Sequence, residues 1–180
     1  MLKWKSIPPL VRIPFLYGLL GGVLCLGLVI ALYYGKKHPL LIPPFFDIRV
    51  FVSAILIYFA LREVRDYFFE GILFFWQGLG GCLAFFASLS LVTVPGIYFF
   101  GKKVDGFVTL YVEQGLEQLK SYSPDTIKQF GQVQYNTLLS TFPSTTIEIL
   151  TQQYLKQTLI IAIFLSIVLS IILRRQPKPL

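Results

Sequence analysis

The stretch Leu61–Gly81, LREVRDYFFEGILFFWQGLGG, sets four charges (Arg62, Glu63, Arg65 and Asp66) within five residues and then enters a run of aromatic and small residues. Only 14% of the chain is charged, so a cluster this tight between apolar flanks reads as the turn joining two membrane-crossing helices. Arginines on such a turn hold it on the cytoplasmic side, and the acids offset their mutual repulsion. Arg62 and Asp66 stand four apart and can pair if the preceding helix runs on through them. Exposed, that pair is worth only about 0.3–0.5 kcal/mol.

Working outward, the apolar runs span residues 14–34, 45–61, 71–100 and 157–173. At about 1.5 Å per residue the first run covers the roughly 30 Å of bilayer hydrocarbon. It follows Lys3, Lys5 and Arg12, but it is too long for the apolar core of a signal peptide, and no small-residue cleavage pattern follows. It closes on Tyr33 and Tyr34, then Lys36 and Lys37, as an interfacial aromatic belt does. Asp47 and Arg49, near the start of the second run, are assigned to the interface. Pro95 and Gly96 are expected to kink or end the third helix. The fourth run is short alone, but no Gly or Pro occurs from Thr145 to Arg175, so its helix can start near a Ser144 cap.

Composition agrees. Of the 180 residues 55% are hydrophobic and 16% aromatic, with a mean hydropathy of +0.69. A soluble domain of this size cannot bury so much apolar surface. The formal charge of +7 does not indicate nucleic acid, because the basic residues sit at the ends of apolar runs. Cys25 and Cys82 lie inside such runs and read as packing residues. One histidine, His38, is expected to be solvated in a loop and excludes a His-rich metal site.

Residues 101–156 form a polar insertion with helical periodicity. Phe107, Val108, Tyr111, Val112, Leu116 and Leu119 share one stripe, with Glu113, Glu117 and Lys120 elsewhere. Ser123-Pro124-Asp125 opens a second helix expected to run to about Ser140. The expected fold is thus an all-α membrane protein of four transmembrane helices, with an extramembrane helical hairpin between helices 3 and 4. With both termini cytoplasmic the 16 basic residues divide evenly between the two sides. The cytoplasmic ones crowd short segments, whereas the opposite side includes the long insertion, and that density selects the orientation.

The stretch LREVRDYFFEGILFFWQGLGGCLAFFASLS resembles the signature of a Bacteroidota membrane protein family, domain of unknown function 4199. The match lies in Leu61, Arg62, Glu63, Arg65, Asp66, Gly71, Phe75 and Gly78, with the polar helical insertion and the last run ending in Arg174 and Arg175. The sequence departs at Tyr67 to Phe69, where that family tends to be more polar. The resemblance implies four transmembrane helices in a bacterial inner membrane and no activity.

Function is less legible. Gly18 and Gly22 form a GxxxG pattern, and Gly80, Ala84 and Ser88 line one face of the third run. Small residues at that spacing allow close helix approach in lipid, within one bundle or toward a partner helix or a second copy. Arg62, Glu63, Arg65 and Asp66 are the candidate contact for a lipid phosphate or an acidic partner. No ionisable residue falls in the middle of a span, His38 has no orienting acid beyond Asp47, and Glu113 and Glu117 read as solvated surface. No catalytic, cofactor or metal site is therefore assigned. The expectation is a non-enzymatic accessory or scaffolding subunit whose partners are the bilayer and a membrane protein or a second copy. The alternative is a small oligomeric transporter or channel for ions or lipids.

Overall fold

The computed structural model describes residues 7–43 and 47–176. Lys3, Lys5 and Lys178, and the start of the second run at Phe45, lie outside the described residues. Seven α-helices make up the described chain: α1 Pro9–Tyr34, α2 Ile48–Phe68, α3 Phe75–Lys103, α4 Phe107–Lys120, α5 Pro124–Phe130, α6 Gln132–Thr141 and α7 Ile147–Leu173. Short 3-10 turns at Pro39–Leu41 and Phe142–Ser144 join them.

Local chemistry accounts for the boundaries. Helix α1 starts on Pro9, whose missing N–H falls where a helix has none to satisfy. It ends at Gly35, whose N–H reaches the Ala31 carbonyl at 2.9 Å. Asp47 caps α2, accepting the Arg49 N–H at 2.9 Å. Arg62, Glu63, Arg65 and Asp66 lie within the last two turns of α2, so the reversal comes later than the charges suggest. It is made at Glu70 and Gly71, both with positive φ (51° and 78°). Helix α3 runs unbroken through Pro95 to Lys103; packing against neighbouring helices sustains a proline there. Between Ser123 and Ser140 the expected single helix is two, because Gly131 takes a φ of 96° and a ψ of 124° that no helix admits. Thr146, rather than Ser144, caps α7.

Helices α1 and α3 run parallel in the closest contact of the bundle. Gly18 faces Phe85 and Ser88, Gly22 faces Leu89 and Val92, and Leu26 faces Gly96. Helix α2 descends antiparallel to α1, and α7 descends antiparallel to α3, with Gly101 near Ile147 and Gly78 near Ser170. Leu73 and Arg175 exchange backbone hydrogen bonds of 3.0 and 3.2 Å. The end of α7 is thereby tied to the α2–α3 turn, and Leu10 packs beside Gly80 and Gly81 at that same end.

The core has two parts. One lies between the four long helices, around Ile57, Leu61, Phe85, Phe86, Leu165 and Leu169. The other is where α4 closes the opposite end, with Phe107 and Tyr111 packed among Val29, Ile97, Leu150 and Tyr154. The outer surface reverses the soluble pattern: Leu20, Val23, Ile55, Leu83, Leu91, Ile160 and Ile163 are all exposed, as lipid-facing side chains are. Among the described residues α1, α3 and α7 are long and apolar enough to cross a membrane. The chain is a multi-pass membrane protein by that criterion. Helix α2 has the length, but Arg49 and the Arg62–Asp66 charges set its composition apart.

Candidate functional site

Asp47 and Arg49, assigned to the interface from sequence, are instead buried among the helices, at 4% and 6% exposure. The cap that starts α2 also organises the charge. Having accepted the Arg49 N–H, Asp47 receives the Arg49 side chain on both oxygens, Nε at 2.8 and 2.7 Å and Nη2 in a further short bond. Nη2 also donates to the Pro39 carbonyl at 3.0 Å. The guanidinium lies 5.4 Å from the centroid of the Tyr154 ring on α7, a cation–π distance. Nη1 is buried with no hydrogen-bond partner among the described residues. Ser53 Oγ donates to the Arg49 carbonyl at 2.8 Å, and Cys25 Sγ of α1 lies 3.9 Å from both Ser53 Oγ and that carbonyl. Arg49, through its side chain and its carbonyl, thus meets α1, α7 and the loop before α2.

A cavity of about 30 Å³ adjoins the pair, lined by Cys25, Asp47, Arg49, Ser53, Tyr154 and Thr158 among others. It has room for one or two waters. Val50, Phe86, Leu89 and Ile161 also line it, so the charged pair faces a small, largely apolar space. Among the described residues no cluster of His, Cys, Asp and Glu is arranged to hold a metal.

His38, expected in solvent, is 1% exposed. It lies under α4 against Phe107 and Tyr111, with ring centroids 4.7 and 4.9 Å away. Its Nδ1 accepts the Leu40 N–H at 3.3 Å. Gln114 of α4 secures the loop, accepting the His38 N–H and donating to the Lys36 carbonyl, both at 2.8 Å. Burial, and secondarily the Arg49 charge, lower the His38 pKa from 6.5 to about 4. Neutral His38 therefore contributes to the stability of the folded chain, fully so above pH 6.5. That contribution is lost as pH falls from 6.5 toward 4, and it amounts to about 3 kcal/mol. Amide exchange in α4 is expected to accelerate over that window in the wild type and to stay flat in His38→Gln. Equal pH profiles would show that another group governs docking.

The residues singled out from sequence fall elsewhere. Gly18 and Gly22 lie in the α1–α3 seam, and Ser88 faces Gly18 together with Phe85. Gly80 has Leu10 4.0 Å from where its Cβ would stand, and Ala84 is half-buried on α3. At the other end of the bundle from His38, Arg65 holds Asp66 through Nε at 2.7 Å and Nη2 at 3.2 Å. Arg62 Nε reaches the same carboxylate at 3.4 Å, and Tyr17 of α1 donates to Glu63 Oε2 at 2.8 Å. The buried pair left one trace in the sequence, an Asp two residues before an Arg just after Pro43 and Pro44.

With this arrangement in hand the comparison with known proteins is direct. Residues 16–175 match the family described as "Protein of unknown function (DUF4199)". The chain belongs to that family. The match takes in α2, α3, the α4–α6 segment and α7 whole, so both polar clusters belong to the DUF4199 region. No curated protein and no solved structure matches the chain.

Proposed function

We propose that this DUF4199 protein is a non-enzymatic accessory or scaffolding subunit of a bacterial inner-membrane complex. In this reading α2 is a fourth crossing: its 21 residues reach about 31 Å at 1.5 Å per residue. Its charges then sit toward its two ends, with Arg49 neutralised by Asp47. Both termini face the cytoplasm, and α4–α6 form a cap on the outer side. The supporting observation is the cap itself. Helix α4 is anchored to the bundle through Phe107, Tyr111 and Gln114, while α6 has no buried residue and Val133 stands exposed. An ordered arm held clear of the bundle is suited to contact a partner. The GxxxG seam of α1 is occupied by α3, so a partner would meet the cap or the lipid-facing sides.

A second reading, a small oligomeric transporter or channel, draws on the Asp47–Arg49 cavity between the helices. At about 30 Å³ that cavity would have to join others to form a path.

The deciding experiment is gentle detergent extraction at native expression level, with mass spectrometry of what co-elutes. The expected result is a stoichiometric protein partner that is lost when residues 124–141 are replaced by a Gly/Ser linker. A second arm follows thermal unfolding of the bundle, which that exchange should leave in place. Recovery of homo-oligomer and lipid only, with ion or lipid flux in proteoliposomes, would replace the accessory reading by the transport one.

A further inference from the structure

At the bundle end away from His38, the outer sides of α1 and α2 enclose a broad cleft of about 490 Å³. It is lined by Tyr17, Phe59, Arg62, Glu63, Asp66 and Tyr67. Its charges are unevenly occupied. Arg65 takes Asp66 through two nitrogens, from a position only 8% exposed. That leaves Arg62 with the 3.4 Å contact from Nε, and its two terminal nitrogens donate no hydrogen bond among the described residues. Glu63, beside it, is held in place across the helix pair by the Tyr17 hydroxyl on Oε2. The cleft therefore offers one available guanidinium fork and one fixed carboxylate side by side. Tyr67, 81% exposed at its edge, is a residue type that favours the headgroup level of a bilayer.

Apolar side chains adjoin the cleft by helical spacing. Leu20 and Leu24 share the Tyr17 face of α1, and Phe59, which lines the cleft, and Ile55 share the Arg62 face of α2. All four are exposed. A polar mouth carrying both signs of charge, opening onto an apolar track between two membrane helices, has the form of a phospholipid.

We propose that this cleft binds one phospholipid with an ammonium-bearing zwitterionic headgroup. The phosphate sits on the Arg62 fork, the ammonium donates to Glu63, and an acyl chain follows the Leu20–Ile55 track. Arginine suits phosphate because its terminal nitrogens donate in a fixed plane. Glu63 determines the other half of the selectivity. A headgroup with net negative charge would satisfy Arg62 but place its charge beside Glu63 and Asp66. A quaternary ammonium has no N–H to give the carboxylate. This assignment needs the bundle in a bilayer and does not depend on the accessory reading, since a lipid site suits a subunit or a transporter alike.

The test is native mass spectrometry of the full chain in detergent, titrated separately with phosphatidylethanolamine, phosphatidylglycerol and phosphatidylcholine of the same acyl chains. The expected result is one retained phosphatidylethanolamine, bound about tenfold tighter than either other lipid. Arg62→Gln should weaken it about tenfold, and Glu63→Gln should abolish the preference over phosphatidylglycerol without loss of binding. Circular dichroism of each variant, and Lys120→Gln on the cap as an unaffected control, separate lost binding from lost fold. Equal binding of the three lipids, or affinities unchanged in both variants, would overturn the proposal. So would displacement by soluble phosphoethanolamine at the lipid's own concentration, which would assign the cleft to a free zwitterion.

Discussion

Arg49→Gln should destabilise the bundle by about 3–5 kcal/mol, and Asp47→Asn combined with Arg49→Gln should recover most of that loss. In the native bundle Asp47 is buried; removing the guanidinium takes away its ionic partner, and leaving one member of a buried pair uncompensated is the expensive case. The Pro39 carbonyl and the Tyr154 face lose their cation as well. The double variant removes both charges together. Asn is as good a helix N-cap as Asp, so the Arg49 N–H contact that starts α2 is kept. Comparing the two variants therefore isolates the cost of the stranded charge from the cost of lost packing. Unfolding in mixed micelles, followed by circular dichroism, measures both. If the double variant were as unstable as the single one, packing of the arginine stem and ring contact would be the dominant role of Arg49. The ion pair would then be incidental to stability.

Gly18→Ala is expected to lower stability by about 1–3 kcal/mol or more, although alanine is the better helix former. A Cβ at Gly18 would collide with Ser88 Oγ and with the Phe85 carbonyl oxygen. The serine can rotate away. The carbonyl belongs to the α3 backbone, so the two helices would have to separate. Gly27 is the control within the same helix: it is exposed and, among the described residues, has nothing within 4 Å of its Cβ position. Gly27→Ala should be neutral or stabilising by up to about 1 kcal/mol from helix propensity. Two alanines of opposite sign, nine positions apart in α1, would show that helix approach sets the requirement at Gly18. Similar values for both would mean that the α1–α3 seam relaxes at little cost.

The long apolar helices were legible because their signal is additive. Each of α1, α3 and α7 carries its own apolar length, and no neighbour is needed to interpret it. The helical insertion was legible in its first half, where Phe107, Tyr111 and Leu119 keep helical spacing and all three are buried. It was less so in its second half, because Gly131 takes a backbone conformation that composition does not announce. Arg62 to Asp66 stand together in the sequence, but they lie in a helix and not in the turn their charges suggest. The hydrogen bonds from Arg62 and Arg65 to Asp66 belong to a helix that continues through them.

The polar interior was hidden for a different reason. Asp47, Arg49 and His38 each stand beside a short loop, where a linear reading assigns charge to water or to the membrane interface. Whether a charged group can leave water depends on what else reaches it. Here Pro39, Tyr154, Cys25 and Ser53 converge on Arg49 from three helices and a loop. Sequence alone therefore determined that this chain crosses a membrane in long helices with a polar helical insertion before the last, because hydrophobic length and periodicity are local properties. Only the tertiary structure decided which charges are buried, which small residues face a helix and which charged side chains remain open in the Arg62 cleft. Those outcomes rest on contacts between residues far apart in the chain, and their free energies exist only once the helices have packed.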